Sequence, residues 1–498
     1  MHTMSTTRQI AHNTIIQMIG KVVTTALGLL AIAMMTRYLG VEKFGWYVTA
    51  ISFLQFAGIL IDFGLIPVTA QMLGEGQHDR TRLFQNLLAF RFVTAFVCLC
   101  VVPLIALFFP YPHEVKVAIA LSTVSFFAIS INQILTGFFQ TELKMHLAAF
   151  GEFIGRVVLV AGLWLLIHFG ATFLPIMMLI ALSTVAYTLV MLWSAQKYIR
   201  LGFQFDPRIW RSIIVKMWPI TLSIIFNVVY LKGDILLLSF YRTQQEVGMY
   251  GAAYRVIDIV TQIAMLTMGI LLPLLAGSFA RGAKEEFKAN YERAVILMLL
   301  LGIPLATGMF VLAEPIMALI AGADFASAAA PLQILSLAVF GLFLGAIYGH
   351  TAVALNRQKQ TVVIYISAAI FTLAGYLLFI PRSGMIGAAW MSVFSELYVG
   401  VLLFIMIHRF VKLSFPHLYI FKIIVSTAIM GVVIYFFKSL PVLLTIGIGG
   451  VVYVLALIGT KAISKKTIQE IFSFYYISYE LCSYFCCFSR GRLFCTKI

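Results

Sequence analysis

Asn13, Gln17, Lys21 and Thr25 recur every fourth position in an otherwise apolar stretch. That spacing places all four on one helix face, and Gly28 extends the face approximately. Arg255, Asp258 and Gln262 repeat the pattern at i, i+3, i+7. Further polar faces carry Ser223, Asn227, Tyr230 and Asp234, and Ser52, Gln55 and Asp62. Such groups are unsatisfied in hydrocarbon, so faces of this kind belong against a wet interior. The chemistry they offer is recognition of an anion. An Arg fork binds phosphate oxygens bidentately, and Lys acts as a point charge. A structural alternative stands beside each: Lys21 in an ion pair, and Arg255 paired with Asp258 at i, i+3. Lys232, Arg91 and Arg156 sit near predicted helix ends, where snorkelling accounts for a charge.

Bond-making chemistry has no comparable foothold. The chain has no G-x-x-x-x-G-K-[ST] loop, no HExxH and no GxSxG. His168 and His350 are isolated and read as interfacial.

The elements that position these faces are apolar runs of membrane-spanning length. About fourteen are legible, each near the ~20 residues a bilayer crossing needs. Two adjoining pairs are Thr14–Met35 with Trp46–Ile66, and Thr361–Ile380 with Met385–Ile407; Met217–Leu238 is a seventh-helix run. With 62% hydrophobic residues, 11% charged residues and a mean hydropathy of +1.00, the chain is predicted to be an all-α integral membrane protein. No soluble catalytic domain fits between the runs.

The net charge of +16 suggests nucleic acid, but its distribution opposes that reading. If the N-terminus is cytoplasmic, the outward loops hold six cations: Arg37, Lys43, Lys116, Arg242, Arg382 and Lys438. Most of the rest fall on inward loops. This is the positive-inside pattern, and it predicts N-in, C-in topology with no nucleic-acid partner. No cleavable signal peptide is visible; the first helix itself serves as the insertion signal.

Weak internal similarity divides the chain. Gly45-Trp-Tyr47 matches Gly248-Met-Tyr250, and Ala161-Gly-Leu-Trp-Leu-Leu-Ile167 matches Ala374-Gly-Tyr-Leu-Leu-Phe-Ile380. Gly64-Leu-Ile-Pro67 corresponds to Gly269-Ile-Leu-Leu-Pro273, all at an offset near ~200 residues. Six helices per repeat gives both halves one orientation, a parallel repeat of the transporter kind. The expected organisation is an N-lobe at 1–195, a basic cytoplasmic linker at 196–216, and a C-lobe at 217–408. Two extra helices at 409–460 and a cytoplasmic tail at 461–498 follow. Cys482, Cys486, Cys487 and Cys495 crowd that tail without a His at ligand spacing, so no metal site is expected. The tail is expected to be dispensable.

Several segments carry a resemblance to a known family. They are Asn13-Thr-Ile-Ile-Gln17 with Gly20-Lys21, and Thr36-Arg-Tyr-Leu-Gly40 with Phe44-Gly-Trp-Tyr47. Val247-Gly-Met-Tyr-Gly-Ala-Ala-Tyr-Arg255 and Gly384-Met-Ile-Gly-Ala-Ala-Trp390 complete the set. Over roughly Arg8 to Lys461 the chain resembles the polysaccharide-biosynthesis (O-antigen, Wzx-type) flippases of the MOP exporter superfamily. The resemblance implies a multi-pass protein of the bacterial inner membrane, with two six-helix lobes that alternate access. It implies no enzyme activity and no cofactor. The implied cargo is an undecaprenyl-diphosphate-linked oligosaccharide, and the implied partners are membrane lipids and the polysaccharide polymerase machinery. Lys21 and Arg255 best match the family's diphosphate-receiving cations; Arg37, Arg91 and Arg156, with Asn13 and Gln17, are further candidates. Asp62, Asp234 and Asp258 are candidates for charge balance or ion coupling. The competing expectation is a MATE-like exporter of small organic cations, in which acids would dominate the cavity. A membrane-embedded polymerase or glycosyltransferase is a third, disfavoured because the longest outward loop, near Ala313–Ala330, is short.

Overall fold

A computed structural model describes residues 6–62, 65–75, 79–411 and 417–462. The Cys-rich tail lies outside the described residues, as do the side chains of Asn13, Asp62, Ser223 and Asn227. Helices α1 to α6 are Thr6–Asp62, Leu65–Glu75, Arg80–Ala106, His113–Thr141, Met145–His168 and Phe173–Ala195. After a linker come α7 (Pro207–Tyr241), α8 (Gln244–Ala280), α9 (Lys284–Val311), and the short α10 (Ala313–Ile320). The chain continues through a 3-10 turn (Ala323–Ala328), α11 (Ala329–Ala354), α12 (Gln358–Phe410), α13 (His417–Phe436) and α14 (Val442–Gly459). Among the described residues there is no strand. That is the expected all-helical outcome for a chain that must satisfy its backbone inside lipid.

Eleven helices among the described residues are long and apolar enough to cross a membrane, against the fourteen runs legible in the sequence. Part of the difference lies in two merged elements. Helix α1 is broken at Gly40 (φ 71°) and α12 at Gly384 (φ 56°), so each contains two of the predicted runs. Both angles lie in the left-handed region that glycine adopts without strain. At Gly384 a side chain would also collide with the Glu246 carboxylate. Large apolar side chains such as Phe96, Phe108, Trp164 and Leu443 stay exposed on the outside of the bundle. A lipid-facing surface requires this.

One boundary differs from expectation. The seventh helix begins at Pro207, not at Met217, so much of the expected linker is helical. Asp206 accepts a hydrogen bond from the Arg208 backbone N–H, and Pro207 occupies the first turn, where its missing N–H does no harm. Trp210 packs edge-on against Phe90 of α3, and Arg82 reaches Asp206 at 2.7 Å. The start of α7 is therefore fastened to the N-terminal half.

The duplication legible in sequence appears as a reciprocal contact. A Cβ built on Gly45 would fall 1.8 Å from the Gln244 carbonyl oxygen, and one on Gly248 would fall 2.2 Å from the Val41 carbonyl oxygen. Gly251 likewise lies directly against Val48. Residue i of one half meets residue j of the other while j meets i, as a two-fold relation between repeats demands. Small residues let the two backbones approach this closely.

Candidate functional site

Beyond the glycine contact, the two halves diverge around a cavity of about 470 Å³. Helix α1 contributes Lys21, Thr24, Thr25 and Gly28; α5 contributes Glu152 and Arg156; α8 contributes Arg255, Asp258 and Gln262. Tyr47, just beyond the Gly40 break, completes one wall. The helical spacing of the α1 and α8 stripes is what aims both at one space.

Each charge has a distinct environment. Lys21 Nζ lies 3.3 Å from Glu152 Oε1, with both side chains partly solvent-accessible. Arg255 Nη1 lies 3.3 Å from Asp258 Oδ2, and its guanidinium sits 6.0 Å above the Tyr47 ring. The other Asp258 oxygen, Oδ1, accepts from Lys232 Nζ at 3.0 Å. One carboxylate thus bridges two cations from two helices. Arg156 is different: half-buried and close to Gly28, it forms no hydrogen bond or ion pair among the described residues. Thr25 donates to Gln262 Oε1 at 3.1 Å, tying the α1 and α8 stripes together. The lining holds three cations (Lys21, Arg156, Arg255) against two acids (Glu152, Asp258), an excess of one positive charge.

A second cavity, about 360 Å³, lies among α7, α8, α11 and α12. Asp258 and Thr261 line both cavities, so one face of α8 forms the shared wall. Lys232, Tyr254, His350, Tyr365 and Glu396 surround the second space. Asp234 is fully buried nearby, where Tyr250 donates at 2.7 Å and Ser392 at 3.1 Å to its Oδ2.

Not every candidate cation joins the central cavity. Arg91 is 1% exposed and donates from Nε to the Ser130 carbonyl and from Nη2 to Gln133, joining α3 to α4. It does not snorkel; burial between helices has replaced that expectation. Arg37 donates to the carbonyls of Ala318, Leu319 and Ile320 at the C-terminal end of α10. It is a cap at the far end of the molecule. Lys232 does not snorkel either, being paired with Asp258. Gln17 is half-buried one turn from Lys21 and is not part of the cavity lining.

Sequence reasoning missed Glu152 and Glu396, and gave Tyr47 and Lys232 no place in the site. Glu152 and Arg156 stand four apart on one face of α5, a signal of the same kind as the α1 stripe. Lys232 left no such trace, because its partner is 26 positions away on another helix.

Known proteins are similar to this chain in sequence and in fold. The chain is 23% identical over 436 residues to a probable low-salt glycan biosynthesis flippase of Haloferax volcanii, covering 86% of this chain and 90% of that protein. It is 21% identical over 400 residues to a putative O-antigen transporter of Shigella flexneri, covering 76% and 93%. Among solved structures it superposes on the lipid II flippase MurJ in an inward closed conformation. The TM-score is 0.75 at 16% identity, over 89% of this chain and 98% of that one. An inward-facing MATE-family multidrug transporter gives a TM-score of 0.64 at 12% identity, over 80% and 98%. These two likenesses show a shared fold. The model of the family described as polysaccharide biosynthesis protein matches residues 34–330, more than half of the chain, and the chain therefore belongs to that family.

Proposed function

We propose that this protein is a flippase that moves an undecaprenyl-diphosphate-linked oligosaccharide between leaflets, from the cytoplasmic to the outer side. The observation that carries the proposal is the central cavity: three cations against two acids, one of the cations without an ionic partner. A diphosphate is the complementary ligand, because it offers several strong acceptor oxygens to Lys and Arg forks. Lys21 and Arg255 exchange their carboxylate partners for phosphate oxygens, and Arg156 engages without first breaking a pair. Asn13 and Gln17, which share the helical spacing of Lys21, are the further candidates for contact with the ligand. Arg37 and Arg91 act outside this contact, through the outer cap and the α3–α4 packing respectively. Asp258 restores charge balance when the cavity is empty, and Asp62 and Asp234 are the remaining acids available for ion coupling.

In this reading residues 1–195 and 217–408 are the rocking lobes, joined by 196–216 and followed by the helices of 409–460. The basic ends face the cytoplasm. The tight Gly45–Gly248 contact then seals the outer end, and the cavity serves the inner leaflet. The polysaccharide polymerase machinery is the natural recipient of the cargo. An excess of cations in the lining disfavours export of small organic cations.

The test is transport in proteoliposomes holding a fluorescent undecaprenyl-diphosphate glycan, with leaflet exposure read by an added glycosidase. Wild-type protein accelerates exposure, and Lys21→Ala, Arg156→Ala and Arg255→Ala each abolish it while the protein stays in the membrane. Transport at the wild-type rate in all three removes the cavity from the mechanism.

A further inference from the structure

A third hollow, about 480 Å³, lies at the basic end of the C-terminal half and has no part in the central cavity. Two tight interhelical turns frame it: α8 to α9 at Arg281–Ala283, and α11 to α12 at Leu355–Arg357. Turns of this kind mark where helices leave the hydrocarbon, so the hollow sits at headgroup depth.

Its lining combines two chemistries. Lys284, Lys288 and Arg357 bring three positive charges, opposed by Glu285 alone. None of the three cations forms an ion pair among the described residues, although Arg281 close by does, with Glu286 at 2.7 Å. Arg357 is held in place with its guanidinium 4.4 Å over the Phe410 ring. The apolar part includes Phe279 and Phe410, 43% and 45% exposed.

We propose that this hollow seats the headgroup of an anionic phospholipid from the adjoining leaflet. The phosphodiester lies among Lys284, Lys288 and Arg357, and the upper acyl chain runs along Phe279 and Phe410. Basic pockets between membrane helices on the cytoplasmic side hold lipid headgroups for this reason. Free phosphate would use the cations but gain nothing from the two exposed rings, which is why a lipid is the occupant.

The experiment is native mass spectrometry on the purified full chain, titrated separately with phosphatidylglycerol, phosphatidylcholine and inorganic phosphate. Phosphatidylglycerol is expected to bind in preference to phosphatidylcholine. Each charge removed weakens it about fivefold, so Lys284→Gln/Lys288→Gln/Arg357→Gln loses roughly a hundredfold. Arg200→Gln/Arg208→Gln/Arg211→Gln removes as many charges from the same end of the molecule, outside the hollow, and keeps wild-type affinity. All six positions except Lys288 are exposed, so folding is not at stake; size-exclusion elution confirms it. Equal loss in the two triple variants reduces the effect to general surface charge and overturns the site. Equal binding of both lipids, or displacement of phosphatidylglycerol by low-millimolar phosphate, overturns the lipid assignment.

Discussion

In the proposed reading, replacing Gly45 by Ala tests the contact that holds the outer ends of the two lobes together. The new Cβ would stand 1.8 Å from the Gln244 carbonyl oxygen, 2.7 Å from its carbon and 3.2 Å from the Gly248 nitrogen. All three are backbone atoms, so no side chain can swing aside. The second segment of α1 must withdraw from α8 by more than an ångström. Overpacking of a tight contact costs about 1–3 kcal/mol. Because that contact joins the two halves, the cost falls on the closed outer end and not on the separated one. Each 1.4 kcal/mol is tenfold in population, so the open outer state gains about 5- to 150-fold. Gly248→Ala, 2.2 Å from the Val41 carbonyl oxygen, acts the same way from the other side. Spin labels at Lys43 and Glu314, both exposed near the outer end, report the separation by double electron–electron resonance. The six native cysteines are first replaced. A longer-distance population appears in both glycine variants and not in Gly450→Ala, where a Cβ meets nothing within 4 Å. An unchanged distance distribution together with an unchanged Tm would refute the reasoning.

Two further outcomes follow from the charged groups. Asp258→Asn leaves Lys232 and Arg255 without their shared anion. These side chains are 26–30% exposed, so the loss is about 1–3 kcal/mol, below the 3–5 kcal/mol of a fully buried pair. Thermal unfolding in detergent shows a lowered Tm that Asp258→Asn/Lys232→Met partly restores; no loss in the single variant would mean the bridge carries no stability. The pH dependence comes from carboxylates at the basic end. Hydrogen bonds from Lys216 and then Gln71 hold Glu75 below the usual carboxylate range. The Arg208 backbone N–H, then the Arg82 side chain, does the same for Asp206. A depressed carboxylate contributes its stability above the unfolded value, about 4, and loses it as pH falls through the lower folded value. Tm is therefore flat from about pH 8 to 6 with respect to these two groups and drops below about pH 4. Glu75→Gln/Asp206→Asn flattens that acid limb, and an identical limb in the double variant excludes both groups.

Much of the candidate site was legible in helical spacing. The α1 and α8 stripes meet across one cavity, as their polar faces require. The repeat was legible too, and its Gly45 and Gly248 marks turned out to touch. Arg91 and Lys232 were misjudged for one reason. Nearness to a predicted helix end says that a long side chain can reach the interface, whereas burial against α4 or an acid on α8 decides where it goes.

Hydropathy and the sign of charge along the chain are local properties, so the membrane class, the helical faces, the charge asymmetry and the repeat are readable from residue order alone. Partnership between charges is not local. Apart from Arg255–Asp258 at i, i+3, it depends on which helices abut and at what depth, since an ion pair forms only within about 4 Å and Lys232–Asp258 and Lys21–Glu152 stand 26 and 131 positions apart. Helix packing alone sets Lys21 against Glu152, places Asp258 between two cations, and leaves Arg156 facing the cavity outside any ion pair among the described residues.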